Sequence, residues 1–261
     1  MPPAPVVQAH KAGAGDRELP WPPLGRDFFV DDARSVARSL VGKLLVRNDG
    51  RVARLVEVEA YMGMDDPGSH AFRGPTPRAA IMFGPAGHLY VYFSYGVHWC
   101  ANVVCGEEGK ASAVLLRAAE PLAGIELMRL ARFHGQKALS ARDLCRGPGR
   151  LTEAFGITGE HNGLDVAPRP ARRPACRLDD PSRPDGHADH LLLWFADDGA
   201  GSCGEVLATP RVGLSAGRAP ELPWRYVVAG SPWASGPSWA TAAQKEASGA
   251  SARLSAGCSS S

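Results

Sequence analysis

The sequence predicts an α+β fold built as one mixed domain, and three observations carry that prediction. Short strand-like stretches recur at hairpin spacing, which pairs neighbours antiparallel. Helical stretches sit among them in no strict strand–helix alternation, so a parallel sheet is not indicated. No internal repeat or linker interrupts the chain between about Leu19 and Ser235. The domain is therefore read as residues 20–236.

A helix is expected from Asp31 or Asp32 to Val41, where an Asp caps the start. Ala33, Val36, Ala37, Leu40 and Val41 give it an apolar stripe. Leu44 to Arg47 reads as a strand, and Asn48-Asp49-Gly50 is a turn signal that returns the chain as a hairpin. Val52 to Met62 is the returning strand. Further strands are expected at His88 to Ser94, His98 to Val104, Ala113 to Ala118, Leu191 to Phe195 and Trp224 to Ala229. Helices are expected at Leu122 to Phe133 and around Arg150 to Phe155.

Outside that domain, residues 1–19 are rich in Pro, Ala and Gly, and residues 237–261 are rich in Ser and Ala. Neither composition can bury a core, so both are expected to be disordered. Pro168 to His190 carries five Pro and five Arg and reads as a long surface loop.

Composition sets broad limits. A hydrophobic share of 44% and a charged share of 21% are ordinary for a globular chain. No apolar run is long enough to cross a bilayer, and the N-terminus does not read as a secretory signal. A cytoplasmic place is expected, at the nucleoid in a bacterium. The net charge of +2 does not announce nucleic acid, yet 24 of the 29 basic residues are Arg. That bias suits phosphate recognition, and a GC-rich genome produces it equally. Six scattered cysteines without a C-x-x-C pair argue against a zinc site and a disulfide framework. No metal or other cofactor is expected.

The chemistry concentrates on the strand Val52 to Met62. Alternation puts Val56, Val58 and Ala60 on a core face and Leu55, Glu57, Glu59 and Tyr61 on the other. Two carboxylates and an aromatic there are either a solvated face or a site. On the strand from His88, Leu89, Val91 and Phe93 share one face while Tyr90, Tyr92 and Ser94 share the other. Tyr95-Gly96 then falls at a turn, so Tyr95 stands at a hairpin tip. A tyrosine there can wedge into a base stack, while the Tyr-rich face is either a base-stacking wall or a cross-strand ladder. Arg117 lies in an apolar strand that buries it and so needs an anionic partner, with Glu57 and Glu59 as the natural candidates.

These residues sit in an order that resembles the alkyladenine, or 3-methyladenine, DNA glycosylase family of the mammalian type. The resemblance runs from Glu57-Val58-Glu59-Ala60-Tyr61, Asp65-Asp66-Pro67 and Ser69-His70 through Thr76-Pro77-Arg78 and Met82-Phe83. It continues with Leu89-Tyr90-Val91-Tyr92, Tyr95-Gly96, Cys100-Ala101-Asn102 and Leu115-Leu116-Arg117-Ala118-Ala119-Glu120-Pro121. Gly147-Pro148-Gly149-Arg150-Leu151, Pro210-Arg211-Val212-Gly213 and Pro223-Trp224-Arg225 complete it. It implies a single mixed domain with a curved antiparallel sheet, surrounding helices and a protruding hairpin that intercalates into DNA.

The same resemblance implies roles. Glu59 deprotonates the attacking water, and Arg117 stands near that water and the target phosphate. Tyr61, His70 and Tyr92 line the base pocket, and Asn102 restricts which purines enter. Tyr95 fills the gap left by the flipped nucleotide. The implied partner is double-stranded DNA carrying damaged purines, and the implied state is a monomer. Two departures stand out: His98 replaces a tyrosine, and Pro168 to His190 has no counterpart.

The implied chemistry is economical. A base such as 3-methyladenine is already cationic and leaves without a protein acid, so one carboxylate that delivers water can suffice. A sugar glycosidase using Glu57 and Glu59 is the competing enzyme reading. Their i, i+2 placement sets their Cα atoms about 6.5–7 Å apart on one side, whereas that chemistry wants carboxylates flanking the bond. A binding module without activity is the non-catalytic reading, and the presence of Glu59, His70, Asn102 and Arg117 speaks against it.

Overall fold

A computed structural model describes residues 21–134, 139–167, 192–202 and 204–235. The segments 1–19 and 237–261 and the stretch Pro168 to His190 lie outside the described residues. What is described is the expected mixed α+β domain.

Asp32 starts α1 (Ala33–Leu40): its carboxylate accepts the backbone N–H groups of Arg34 and Ser35, satisfying two donors that the helix leaves free. The buried stripe of Ala33, Val36, Ala37 and Leu40 then packs on the sheet. β1 (Leu44–Arg47) and β2 (Val52–Tyr61) form the hairpin that Asn48-Asp49-Gly50 announced, with Val46 opposite Val52. β3 (Leu89–Ser94) and β4 (His98–Val104) form a second hairpin, and β5 (Ala113–Ala123) follows. α2 (Ile125–Ala131), α3 (Ala141–Leu144) and α4 (Pro148–Ala154, with Pro in the first turn) come next. β6 (Leu193–Ala196), β7 (Val206–Thr209) and β8 (Arg225–Val228) close the chain.

The strands make one sheet in the order β3-β4-β5-β2-β1-β6, with β8 joined to β2 and β7 to β8, all antiparallel. β2 is the axis of the molecule. β5 runs along one edge of it, while β1 takes the first half of the other edge and β8 the second half, with Glu59 opposite Arg225. Every residue from Val52 to Ala60 is buried as a result.

The simple alternation expected for β2 is corrected here. Leu55 pairs with Ala119 and Glu57 with Ala118, so Val56 is an extra residue; Val58 then pairs with Leu116, which makes Arg117 extra on β5. These paired irregularities put Leu55 in the core with Val56, Val58 and Ala60, rather than beside Glu57. The expected strand at Ala113 to Ala118 runs on to Ala123, and the helix expected from Leu122 starts at Ile125, after Gly124 at φ 66°. β7 and α3 were not anticipated. Near the tip of the second hairpin, Phe93 departs from Leu89 and Val91 of its face: it is half exposed and rests against Trp99.

Candidate active site

The sheet places Glu57, Glu59 and Tyr61 on consecutive outward positions of β2, and all three are covered by β5, β8 and the loop after β7. Both carboxylates are 0% exposed, so the solvated-face reading does not hold. Burying a carboxylate without partners costs many kcal/mol, so the donors around each decide what it can do.

Glu57 is saturated. It accepts Arg117 Nε at 2.8 Å, Arg225 Nε at 2.7 Å, Ser235 Oγ at 2.9 Å and the Ser235 backbone N–H. Burial alone pushes its carboxyl up, but Arg117 and Arg225 together outweigh that and hold it below the ordinary range. Glu59 is held more lightly. Its Oε1 accepts the Val212 N–H at 2.7 Å and lies 3.3 Å from Arg117 Nη1, and its Oε2 accepts the Tyr61 hydroxyl at 2.9 Å.

The Val212 contact depends on the residue before it. Arg211 forms a double hydrogen bond to Asp66 in a pair that is 0% exposed on both sides, and donates to the Ala60 carbonyl at 3.1 Å. Its guanidinium also lies over Tyr61 at 4.7 Å and Trp224 at 5.0 Å. A rigid fork pinned at both ends fixes the loop from Pro210, so the next backbone N–H points at Glu59.

In front of Glu59 lies a cleft of about 900 Å³. Tyr61, His70, Tyr92, Asn102 and Arg117 all line it, and Tyr95 stands at its edge. Glu59 itself does not line it, but sits directly behind Tyr61 and Arg117, which do. His70 meets Tyr92 edge-on, with ring centroids 4.6 Å apart at 75°, and its Nδ1 is 2.9 Å from the Tyr90 hydroxyl. Asn102 is fixed by donating to the Tyr90 carbonyl at 3.0 Å. Arg78 rests over the Tyr92 ring at 4.9 Å. Among the described residues no three His, Cys, Asp or Glu side chains gather as a metal site.

At the tip of the second hairpin the Val97 N–H closes on the Ser94 carbonyl at 2.9 Å. Tyr95 and Gly96 both take positive φ, 49° and 68°. Tyr95 is 88% exposed and shares that backbone region with Ala219 alone among the described non-glycine residues. Holding a tyrosine there costs roughly 1–2 kcal/mol. Val97 and Phe93 are exposed beside it.

A family model described as methylpurine-DNA glycosylase matches residues 27–232. The chain belongs to that family. A protein of Burkholderia lata assigned as a 3-methyladenine DNA glycosylase is 45% identical over 85% of this chain and 97% of its own length. One from Rhodopseudomonas palustris, likewise assigned, is 46% identical over 83% of this chain and 92% of its own length. One from Koribacter versatilis is 42% identical over 82% and 93%. As a methylpurine-DNA glycosylase, the chain is a DNA-repair hydrolase that acts on N-glycosyl bonds, and its substrate is DNA.

All seven residues singled out in the sequence thus gather at one place, six on the cleft and Glu59 behind it. The cleft is also built by residues to which sequence reasoning gave no role. Asp66 and Arg211 appeared only inside longer motifs, and their pairing spans 145 positions. No local pattern marks it. Arg225 and Ser235, which hold Glu57, were equally silent. Arg78 and Arg218 were not assigned either, and both bear on the cleft.

Their charge matters for His70. Burial, reinforced by the Arg78 and Arg218 guanidiniums, pulls its imidazole from the ordinary 6.5 down to about 4. His70 is therefore neutral at physiological pH and adds no positive charge against a cationic base. The unfolded chain protonates this histidine at a higher pH than the folded one, so stability falls as pH drops through that interval. Between about pH 7 and about pH 4.5, wild type should lose more unfolding free energy in urea than His70→Gln does. Equal losses in the two proteins would show that the folded imidazole takes its proton freely.

Proposed function

We propose that the chain turns alkylated purines such as 3-methyladenine, and deaminated ones such as hypoxanthine, out of the duplex into the cleft. It then hydrolyses the N-glycosidic bond with water activated by Glu59 and leaves an abasic site. The observation that carries the reading is the contrast between the two buried carboxylates. Glu57 is clamped by two arginines and a serine, whereas Glu59 has lighter contacts and lies directly behind Tyr61 and Arg117, which line the cleft. Glu59 is the carboxylate set to take a proton from water. Arg117 balances its charge and faces the same space, in place for the water and the target phosphate.

The remaining roles follow from chemistry and position. Tyr61 and Tyr92 offer faces to the flipped base, His70 a neutral edge, and Asn102 a fixed amide that restricts which purines fit. Stacking returns about 1–3 kcal/mol per aromatic contact against the few kcal/mol that flipping costs, so selection among purines is a difference of small terms. A cationic base leaves unaided, and a neutral one such as hypoxanthine leaves more slowly. The sugar-hydrolase reading loses support because Arg117 and Arg225 clamp Glu57 and hold its carboxyl below the ordinary range, and Glu57 does not line the cleft.

The test is base release. Duplex DNA with one 3-methyladenine or one hypoxanthine should yield free base and a site cleaved only on alkali treatment. Among the described residues the lysines are Lys43 and Lys110, which are paired with Asp197 and Glu107 and do not line the cleft, so borohydride should trap no adduct. Chelators should leave the rate unchanged. Strand cleavage without alkali, a trapped adduct, or loss of activity restored by a metal ion would each overturn the mechanism.

A further inference from the structure

We propose that Glu57 and Ser235 are positioning residues that restrain Arg117 from closing on Glu59, and so keep Glu59 a competent base. The proposal rests on Glu59 being that base. Its foundation is how the guanidinium of Arg117 is shared out. Nε binds Glu57 at 2.8 Å and Nη2 binds Ser235 Oγ at 3.2 Å, so one whole edge of the planar fork is engaged. That hold turns Nη1 toward Glu59 at 3.3 Å, as an ion pair rather than an aligned hydrogen bond.

The arrangement is built from several directions. Ser235 Oγ donates to Glu57 Oε1 while accepting from Arg117, and the Ser235 N–H holds Glu57 as well. Arg225 grips the same Glu57 oxygen and binds the Ser235 carbonyl at 3.2 Å, locking the chain at that point. Arg117 and Val56 are the two unmatched positions in the β2–β5 ladder, and such irregularities re-aim side chains. Four ionised groups at one spot, two of each sign, could pair in more than one way. Ser235 decides which pairing occurs.

The alternative pairing would harm catalysis. Without the Ser235 hold the guanidinium could turn in its plane and present its Nη1–Nη2 edge to Glu59 as a bidentate fork. A second charge-assisted donor on Glu59 stabilises its carboxylate and weakens it as a base. The groups that face Glu59 are Arg117 from β5, Tyr61 and Glu57 on its own strand, Cys100 from β4, and Arg211 across the Tyr61 ring. Burial holds the Tyr61 hydroxyl and the Cys100 thiol above their ordinary values, so neither titrates on the acid side. His70 lines the same cleft and its imidazole is pulled down to about 4, so the acidic limb is compared between proteins that all carry His70→Gln.

Ser235→Ala removes one oxygen and keeps the backbone N–H that holds Glu57. Single-turnover excision of hypoxanthine by the full chain should fall on the order of tenfold, part of the 10²–10⁴-fold that a general base contributes. The acidic limb should move to lower pH, because Glu59 then binds its proton less tightly. Duplex affinity should be unchanged, and Ser235→Thr should restore both rate and limb. Glu57→Gln, assayed below its melting temperature, should shift the limb the same way. A slower Ser235→Ala enzyme whose limb stays in place would overturn the proposal, since a purely structural role predicts that result. So would wild-type rate and limb in Ser235→Ala alongside an inert Glu59→Gln. An active Glu59→Gln would instead overturn the assignment of the base.

Discussion

Glu59→Gln is expected to lose base excision by about 10²–10⁴-fold, the contribution of a positioned general base, while still binding a lesion-bearing duplex. The amide oxygen can keep the Val212 N–H, and the amide nitrogen can donate to the Tyr61 oxygen in place of the present bond. The shape of the site survives, and the proton-accepting charge does not. Arg117 keeps Glu57 as its anionic partner, so no guanidinium is left unpaired in the interior. The charge balance of the cluster shifts by one positive unit, and a lower melting temperature follows. Excision is therefore to be read as a single turnover at saturating enzyme and at a temperature where both proteins are folded. Under those conditions binding and chemistry separate. Excision by Glu59→Gln within severalfold of wild type would remove Glu59 from the mechanism. Glu57 would not readily replace it, because Arg117 and Arg225 outweigh its burial and hold its carboxyl below the ordinary range.

What could be read beforehand depended on how far apart the interacting residues lie. The hairpin of β3 and β4 was legible because alternation and the Tyr95-Gly96 turn are local signals, and Tyr95 does stand exposed at its tip. The partnership of Arg117 with the β2 carboxylates was legible because an arginine in an apolar strand admits few alternatives. The burial of those carboxylates was not. It depends on β8 and the loop at Val212 arriving about 150 residues later, and nothing in Glu57-Val58-Glu59 announces them. The exchange of Leu55 from the site face to the core has the same origin, since an irregularity at Val56 is a property of the pair of strands. β7 and α3 have four residues each, too short for a period of either kind to show. The family resemblance supplied an order of motifs and their roles. It did not supply the Arg211–Asp66 fork or the Ser235 contact that give those motifs their geometry.

Tyr95→Ser is the sharpest test of the hairpin. Its side chain is almost fully exposed, so little apolar area is lost on substitution and the melting temperature should stay near wild type. The backbone at φ 49° is no more strained with serine than with tyrosine, which leaves the turn in place. A tyrosine held exposed at an energetic cost, with Val97 and Phe93 exposed beside it, has no role in the free protein's core. In the duplex its ring would fill the gap left by the extruded nucleotide and replace part of the lost stacking, worth about 1–3 kcal/mol. Removing it should lower the flipping equilibrium by roughly tenfold to a hundredfold, and weaken lesion binding with it. The defect should shrink when the lesion sits opposite a mismatched base, because less unpairing work then remains for the wedge to offset. Chemistry on a nucleotide already in the cleft should be unaffected, so the single-turnover loss should track the flipping constant. The opposite pattern is equally clear. A Tyr95→Ser protein that melts well below wild type, and loses the same factor on paired and mismatched duplexes, would make Tyr95 a packing residue. The wedge would then have to be Val97 or Phe93, the other apolar side chains that the hairpin leaves in solvent.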